Sequence, residues 1–124
     1  MERKNEYRYR NDRSTKANTT KFAKILPKLG RIRYVKGTAW KNIYGVTQEA
    51  VIVRGENGYA RFGGLLWGYC GEGPRGLADL LEHLGFNKQD ALSFAYNTVR
   101  DDNPPMGEQW LLDDSFFNKE PIAA

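Results

Sequence analysis

Residues 50–62 read AVIVRGENGYARF, two runs rich in β-formers on either side of Asn57-Gly58. Asn-Gly between such runs is the strongest short-range signal for a two-residue type I′ hairpin, because both residues tolerate the left-handed backbone region. With Asn57 and Gly58 as the loop, Glu56 faces Tyr59, Gly55 faces Ala60 and Arg54 faces Arg61. Like charges directly opposite on one face are unfavourable by roughly a few tenths of a kcal/mol, so an anion is expected beside them. A carboxylate from Glu49 or Glu56 is one source of it; a bound phosphate is the other.

The segments around this hairpin carry their own periods. Phe22, Ile25, Leu26 and Leu29 recur at helical spacing behind Thr19 and Thr20, and Pro27 limits that helix to one or two turns. After Gly30, Ile32, Tyr34 and Val35, then Trp40, Ile43 and Tyr44, predict short strands punctuated by Gly37 and Gly45. Downstream, Leu77, Leu80, Leu81 and Leu84 form one apolar stripe closed by Gly85. Asn87 then caps a second helix through the N-K-Q-D pattern, with Ala91, Leu92, Phe94, Ala95 and Val99 following, and the helix should stop before Asn103-Pro104-Pro105. Residues 109–112 offer a last strand with Trp110 on one face. The expected fold is α+β: an antiparallel β-sheet with two C-terminal α-helices on one face and a flexible basic N-terminal arm. The arm spans residues 1–18 and a single domain spans 19–124.

At 124 residues, one core can form, and 40% hydrophobic residues with sixteen aromatics argue for a folded body. The net charge of +4 conceals a division. Residues 1–36 hold twelve Lys and Arg against three acids, while the other 88 residues hold seven basic and twelve acidic residues. Such a basic segment, from Arg3 to Lys36, suits nucleic acid or the acidic body of a second copy. No apolar run approaches the ~20 residues that span a bilayer, and MERKNEYRYR lacks the apolar stretch of a signal peptide, so a cytoplasmic protein with no membrane partner is expected.

Little in the chain suggests catalysis. One histidine and one cysteine exclude an all-His/Cys zinc cluster within the chain, and no HExxH, GxSxG or P-loop pattern occurs, so neither an enzyme, a metal nor a cofactor is expected. His83 falls off the leucine stripe beside Asp79 and Glu82 and reads as a solvated helix residue. Cys70 reads as a small buried space-filler. The stretch LLWGYCGEGPRGLADLL, residues 65–81, is different. Pro74 suits the first helical position behind a Gly73 cap, so the free N–H groups of residues 75–77 and the Arg75 guanidinium form an expected anion site. Gly73 and Gly76 leave it unobstructed, and Phe62, Trp67 and Tyr69 stand ready to stack a base. Arg54 and Arg61 join this candidate ligand site, as does Arg100 reaching across a subunit boundary of an expected homo-oligomer. Tight packing is the competing account: eight of thirteen glycines lie between residues 55 and 76, and Trp67 suits the core.

The string Trp67-Gly68-Tyr69, Gly71, Gly73-Pro74, Leu77-Ala78 resembles a small bacterial and phage family of unknown function marked by W-G-Y-x-G-x-G-P-x-x-L-A. The resemblance covers about residues 44–113 and implies the fold and a phage or mobile-element setting, with no activity attached; Cys70, Glu72 and Arg75-Gly76 depart from it. The layout alone is similar to phage anti-Thoeris sponges, which sequester cyclised ADP-ribose signals or cyclic oligonucleotides. The leading expectation is therefore a non-enzymatic binder of a phosphorylated, base-containing small molecule, acting as a counter-defence protein in the host cytoplasm. The alternative is a nucleic-acid or nucleoprotein-binding protein, such as an inhibitor of an RNA-guided nuclease, in which Tyr7 and Tyr9 between Arg8 and Arg10 stack on unpaired bases.

Overall fold

Five strands form one sheet in the computed structural model, which describes residues 6–12, 14–100 and 106–117. They are β1 (Tyr7–Asn11), β2 (Ile32–Lys41), β3 (Thr47–Gly55), β4 (Gly58–Gly63) and β5 (Gly107–Asp113), in the spatial order β1-β4-β3-β2-β5. All neighbours are antiparallel except β1 and β4, which run parallel. The helices are α1 (Thr15–Thr19), α2 (Phe22–Ile25), α3 (Glu72–His83) and α4 (Lys88–Asn97). The class is α+β, as the alternating and helical periods required.

Local signals held where local forces decide. Phe22, Ile25, Leu26 and Leu29 are all buried, with Pro27 converting the second half of that segment to a 3-10 turn over Leu26–Leu29. Asn87 caps α4, its side-chain oxygen accepting from the Asp90 N–H at 2.8 Å. The two short strands expected around residues 32–35 and 40–44 are instead one ten-residue strand, with Gly37 inside it and Gly45 at its turn.

The hairpin register differs from the Asn-Gly expectation. Gly55 pairs with Gly58, Arg54 with Tyr59 and Ile52 with Arg61, so the loop is Glu56-Asn57 and the two arginines are not opposite each other. Three tertiary hydrogen bonds explain the shift. The Glu56 N–H donates to the Arg31 carbonyl at 2.9 Å and the Asn57 N–H to the Leu29 carbonyl at 3.0 Å, while the Tyr7 N–H donates to the Asn57 carbonyl at 2.8 Å. No non-glycine residue among those described has positive φ, so Asn57 stays out of the left-handed region that a type I′ turn demands. Gly58 is needed for another reason: a Cβ there would collide with the Tyr7 backbone as β1 passes alongside.

That passage also changes the account of the N-terminus. Of the expected arm, residues 1–5 and 13 lie outside the described residues, but Tyr7–Asn11 is an edge strand and Thr15–Thr19 a helix. Tyr7 and Tyr9 pack against the core, Tyr9 at 5.5 Å from the Phe62 ring, so they do not project as a stacking pair. The strand is anchored by Asn18, which is fully buried. Its side-chain amide donates to the carbonyls of Asn11 (3.1 Å) and Gly63 (2.6 Å) and accepts from the Tyr9 hydroxyl (3.3 Å). Asn18→Ala leaves both carbonyls without that donor and should cost about 2–3 kcal/mol, read as a lower urea midpoint at unchanged slope. Asn18→Asp should be at least as unstable at neutral pH and recover on acidification, because a buried carboxyl has its pKa raised and donates only when protonated.

Candidate functional site

Strand alternation sorts the sheet into two unlike faces. Val35, Val51, Val53, Ala60, Phe62 and Leu112 lie in one buried cluster with Leu77, Leu80 and Leu81 of α3 and Ala91 and Ala95 of α4. Residues of the opposite parity are half-buried or exposed apart from Ala50, Gly63 and Ile32, and of these only Ile32, set off from Tyr34 by a bulge, belongs to that cluster. The pairings place them in rows across the strands. One row runs Arg8, Tyr59, Arg54, Tyr34, Asp113; the next runs Arg10, Arg61, Ile52, Lys36, Leu111. Trp40, opposite Gln48, closes the face toward the β2–β3 turn.

This face interleaves cations with rings. The Arg61 guanidinium lies 4.5 Å from the centroid of the Trp40 ring and the Lys36 ammonium 5.3 Å from that of Tyr34. Both ends of β1 supply carboxylates. Asp12 receives a two-pronged hydrogen bond from Arg61 (2.9 and 2.6 Å) and a third from Arg10 (3.2 Å). Arg54 pairs with Glu6. The bond from Arg61 is the main reason the Asp12 carboxyl sits below its ordinary pKa, with Arg10 adding to it against the opposing cost of burial. The hydrogen bond to Glu6 likewise raises the pKa of Arg54. The anion expected beside Arg54 and Arg61 is thus a pair of carboxylates, but from Glu6 and Asp12. Glu56 instead accepts from the Arg31 N–H, and Glu49 pairs with Arg100.

The residues expected to form one ligand site are spread over separate places. Arg54 and Arg61 are on the open face. Phe62, on the other side of β4, is fully buried, and Trp67 is 1% exposed. The helix start is not the bare one expected: α3 begins at Glu72 with Gly71 as cap, Pro74 is its third residue, and the Arg75 N–H is already bonded to the Gly71 carbonyl. Gly73 and Gly76 are buried; a Cβ on Gly73 would crowd the Tyr69 hydroxyl and Leu66, and one on Gly76 would collide with Thr15 of α1. Close packing accounts for both glycines. Arg75 is exposed beside a cavity of about 580 Å³ over α3, between Lys16 of α1 and Leu92 and Tyr96 of α4. Three of the expected residues do meet. The Arg100 guanidinium lies 5.8 Å from the Trp67 ring centroid and 5.6 Å from that of Tyr69, which is 40% exposed, and it reaches Glu49 within its own chain. Cys70 is exposed, contrary to expectation, and His83 sits at the end of α3 with its Nδ1 2.9 Å from the Asp79 carbonyl.

Tyr34, Trp40 and Tyr59 were not among the expected site residues, and Lys36 was expected only as the end of the basic N-terminal segment. Their signal was the period of two in RIRYVKGTAW and GYARF, which sets one polar or aromatic residue in every pair on the same side. Among the described residues, no cluster of His, Cys, Asp and Glu has the makings of a metal site, and no helix is long and apolar enough to cross a membrane.

Asp12 gives this face a testable pH dependence. Its carboxyl has a folded-state pKa below the unfolded one, so its contribution is present above the ordinary carboxylate range and is lost as pH falls through the folded value. The side chain is 38% exposed and water screens the pair, so Asp12→Asn should cost only about 0.5–1 kcal/mol at neutral pH. Chemical denaturation from pH 7 downward should show that gap closing in acid.

No family model matches the chain, and neither the curated proteins nor the solved structures include one similar to it.

Proposed function

We propose that the protein binds single-stranded nucleic acid across the open face of its sheet. The observation that carries this reading is the alternation of cations and rings in register across the strands: Arg8, Tyr59, Arg54 and Tyr34 in one row, with Arg10, Arg61 and Lys36 in the next. Neighbouring strands lie about 4.8 Å apart, which sets Tyr59 and Tyr34 about 10 Å from each other with Arg54 between them. Bases stack on the two tyrosines and Trp40 while the backbone follows the cations. None of the cavities found on the described residues is lined by this face, which suits an extended polymer better than a small molecule, whose sites are concave. Such a chain fits the phage or mobile-element setting that the Trp67–Ala78 motif implies, where inhibition of an RNA-guided nuclease is one role of this kind.

Fluorescence anisotropy with a labelled oligonucleotide of about 12 nucleotides tests the reading, since one such surface covers roughly 4–16. Tyr59→Ala and Tyr34→Ala should each weaken binding by about five- to a hundredfold, the worth of one stacked base. The affinity should fall steeply with salt, and Asp12→Asn should tighten binding, because it removes an anion from Arg10 and Arg61. Tight binding unaffected by either tyrosine variant would place the interface elsewhere.

A second reading rests on the meeting of Trp67, Tyr69 and Arg100: a nucleotide-like small ligand held at that corner. Arg100 Nη1 and Trp110 Nε1 are buried there without a hydrogen-bond partner among the described residues, and the Trp67 and Trp110 rings are 5.6 Å apart. Thermal-shift measurements with cyclic nucleotides and ADP-ribose variants decide it. A ligand at a hundred times its dissociation constant stabilises by about 2.7 kcal/mol, and Arg100→Ala should abolish that shift while leaving oligonucleotide binding unchanged.

A further inference from the structure

The turn between β2 and β3 holds three apolar side chains out in water. Ile43 is 91% exposed, Tyr44 83% and Val46 54%. The turn is well bonded. The Asn42 side-chain oxygen accepts from the Tyr44 N–H at 2.9 Å and the Val46 N–H at 3.0 Å, the Gly45 N–H donates to the Asn42 carbonyl at 2.9 Å, and the Asn42 N–H donates to the Val46 carbonyl at 3.0 Å. Gly45 supplies the left-handed residue with φ of 75°. An isolated exposed leucine needs no explanation, but two large apolar side chains presented together on a fixed turn mark a contact surface.

Shape and position narrow down what covers it. A convex knuckle cannot enclose a small molecule, so it must lie against or enter something larger. Trp40, the last ring of the open face, stands just before Lys41↔Thr47, the pair that closes the hairpin. The tip therefore extends the stacking surface past the sheet's edge, with exposed Lys41 beside it for a phosphate. A strand lying on the two rows leaves the tip uncovered. The end of a duplex, by contrast, offers a terminal base pair whose flat apolar face matches a tyrosine ring flanked by aliphatic side chains.

We infer that the Ile43–Val46 knuckle caps the terminal base pair of a duplex whose single-stranded extension lies on the sheet face, so that the preferred partner is a junction of single and double strand. This rests on the sheet-face reading above. The test is fluorescence anisotropy on the full chain at one salt concentration with three probes: a single strand, the same strand extending from a short duplex, and the duplex with blunt ends. The junction should bind about tenfold more tightly than the strand, the worth of one stacked base. The double variant Ile43→Ser/Tyr44→Ser should bind the junction no better than the strand, with its affinity for the strand and its melting temperature unchanged. Equal binding of strand and junction by the parent chain overturns the inference and leaves the sheet-face reading standing, as does a double variant that keeps the junction preference. A double variant whose only loss is binding to phosphatidylserine vesicles also overturns it, in favour of a bilayer. Failure of the parent chain to bind any of the three probes removes both readings.

Discussion

One buried carboxamide holds the N-terminal strand to the rest of the fold. Asn18 has no exposed surface, and its amide spans β1 and β4 through the Asn11 and Gly63 carbonyls. Thr15, one turn earlier, donates to the Gly64 carbonyl at 2.6 Å, so α1 is fastened to the end of β4 at two points. A polar side chain pays for burial only when its groups are bonded, and here both the amide and the carbonyl of Asn18 have partners. The parallel pairing of β1 with β4 could not be closed by a tight turn: the α1 and α2 segment carries the chain from β1 to β2, three places across the sheet, and β3 brings it back to β4. Loss of Asn18 would therefore affect more than a local contact, since Arg8, Arg10, Glu6 and Asp12 all reach the open face by way of β1.

That dependence ties stability to the proposed function. The central arginines of the face, Arg54 and Arg61, come from the hairpin, yet the carboxylates that hold them come from the residues bracketing β1. Arg61 is fixed between Asp12 and the Trp40 ring, which orients the guanidinium before any ligand arrives. Less side-chain freedom then has to be given up on binding. The same carboxylates weaken attraction to a polyanion, so the face combines a preset geometry with a moderated charge.

The sequence made legible those features that short-range forces decide. The leucine stripe of α3, the Asn87 cap and the strand alternation on both sides of residue 57 are fixed within a few residues of themselves. The hairpin register was not, because Glu56 and Asn57 are held by Arg31, Leu29 and Tyr7, and no local turn rule carries those partners. The same cause hid β1: YRYRN has the right alternation, but its high charge looks like a solvated tail until Asn18 and Gly58 give it somewhere to dock. For the site, Arg54 and Arg61 were found, although from a register that set them opposite each other. Phe62 was assigned to a ligand by residue type and Trp67 was offered to both ligand and core; the burial of one face of β4 and of the segment after it places both in the core.

The division of charge along the chain takes on a spatial meaning in this fold. Of the twelve cations in residues 1–36, Arg8, Arg10 and Lys36 are carried by β1 and β2 onto the open face, where they join Arg54 and Arg61. Four acids of the remaining chain lie on the helical side, Glu72, Asp79 and Glu82 along α3 and Asp90 in the first turn of α4, interspersed there with Lys16, Arg75 and Lys88, while Asp113 ends a row of the open face. Under the proposed function a polyanion would meet five cations on the sheet, Arg8, Arg10, Lys36, Arg54 and Arg61, whereas the helical side mixes both signs. Salt would then weaken both the encounter and the proposed bound state, while stacking on Tyr34, Tyr59 and Trp40 would persist because it is short-ranged. Under the proposed function, cations would decide which face is met, and the rings how long the strand stays.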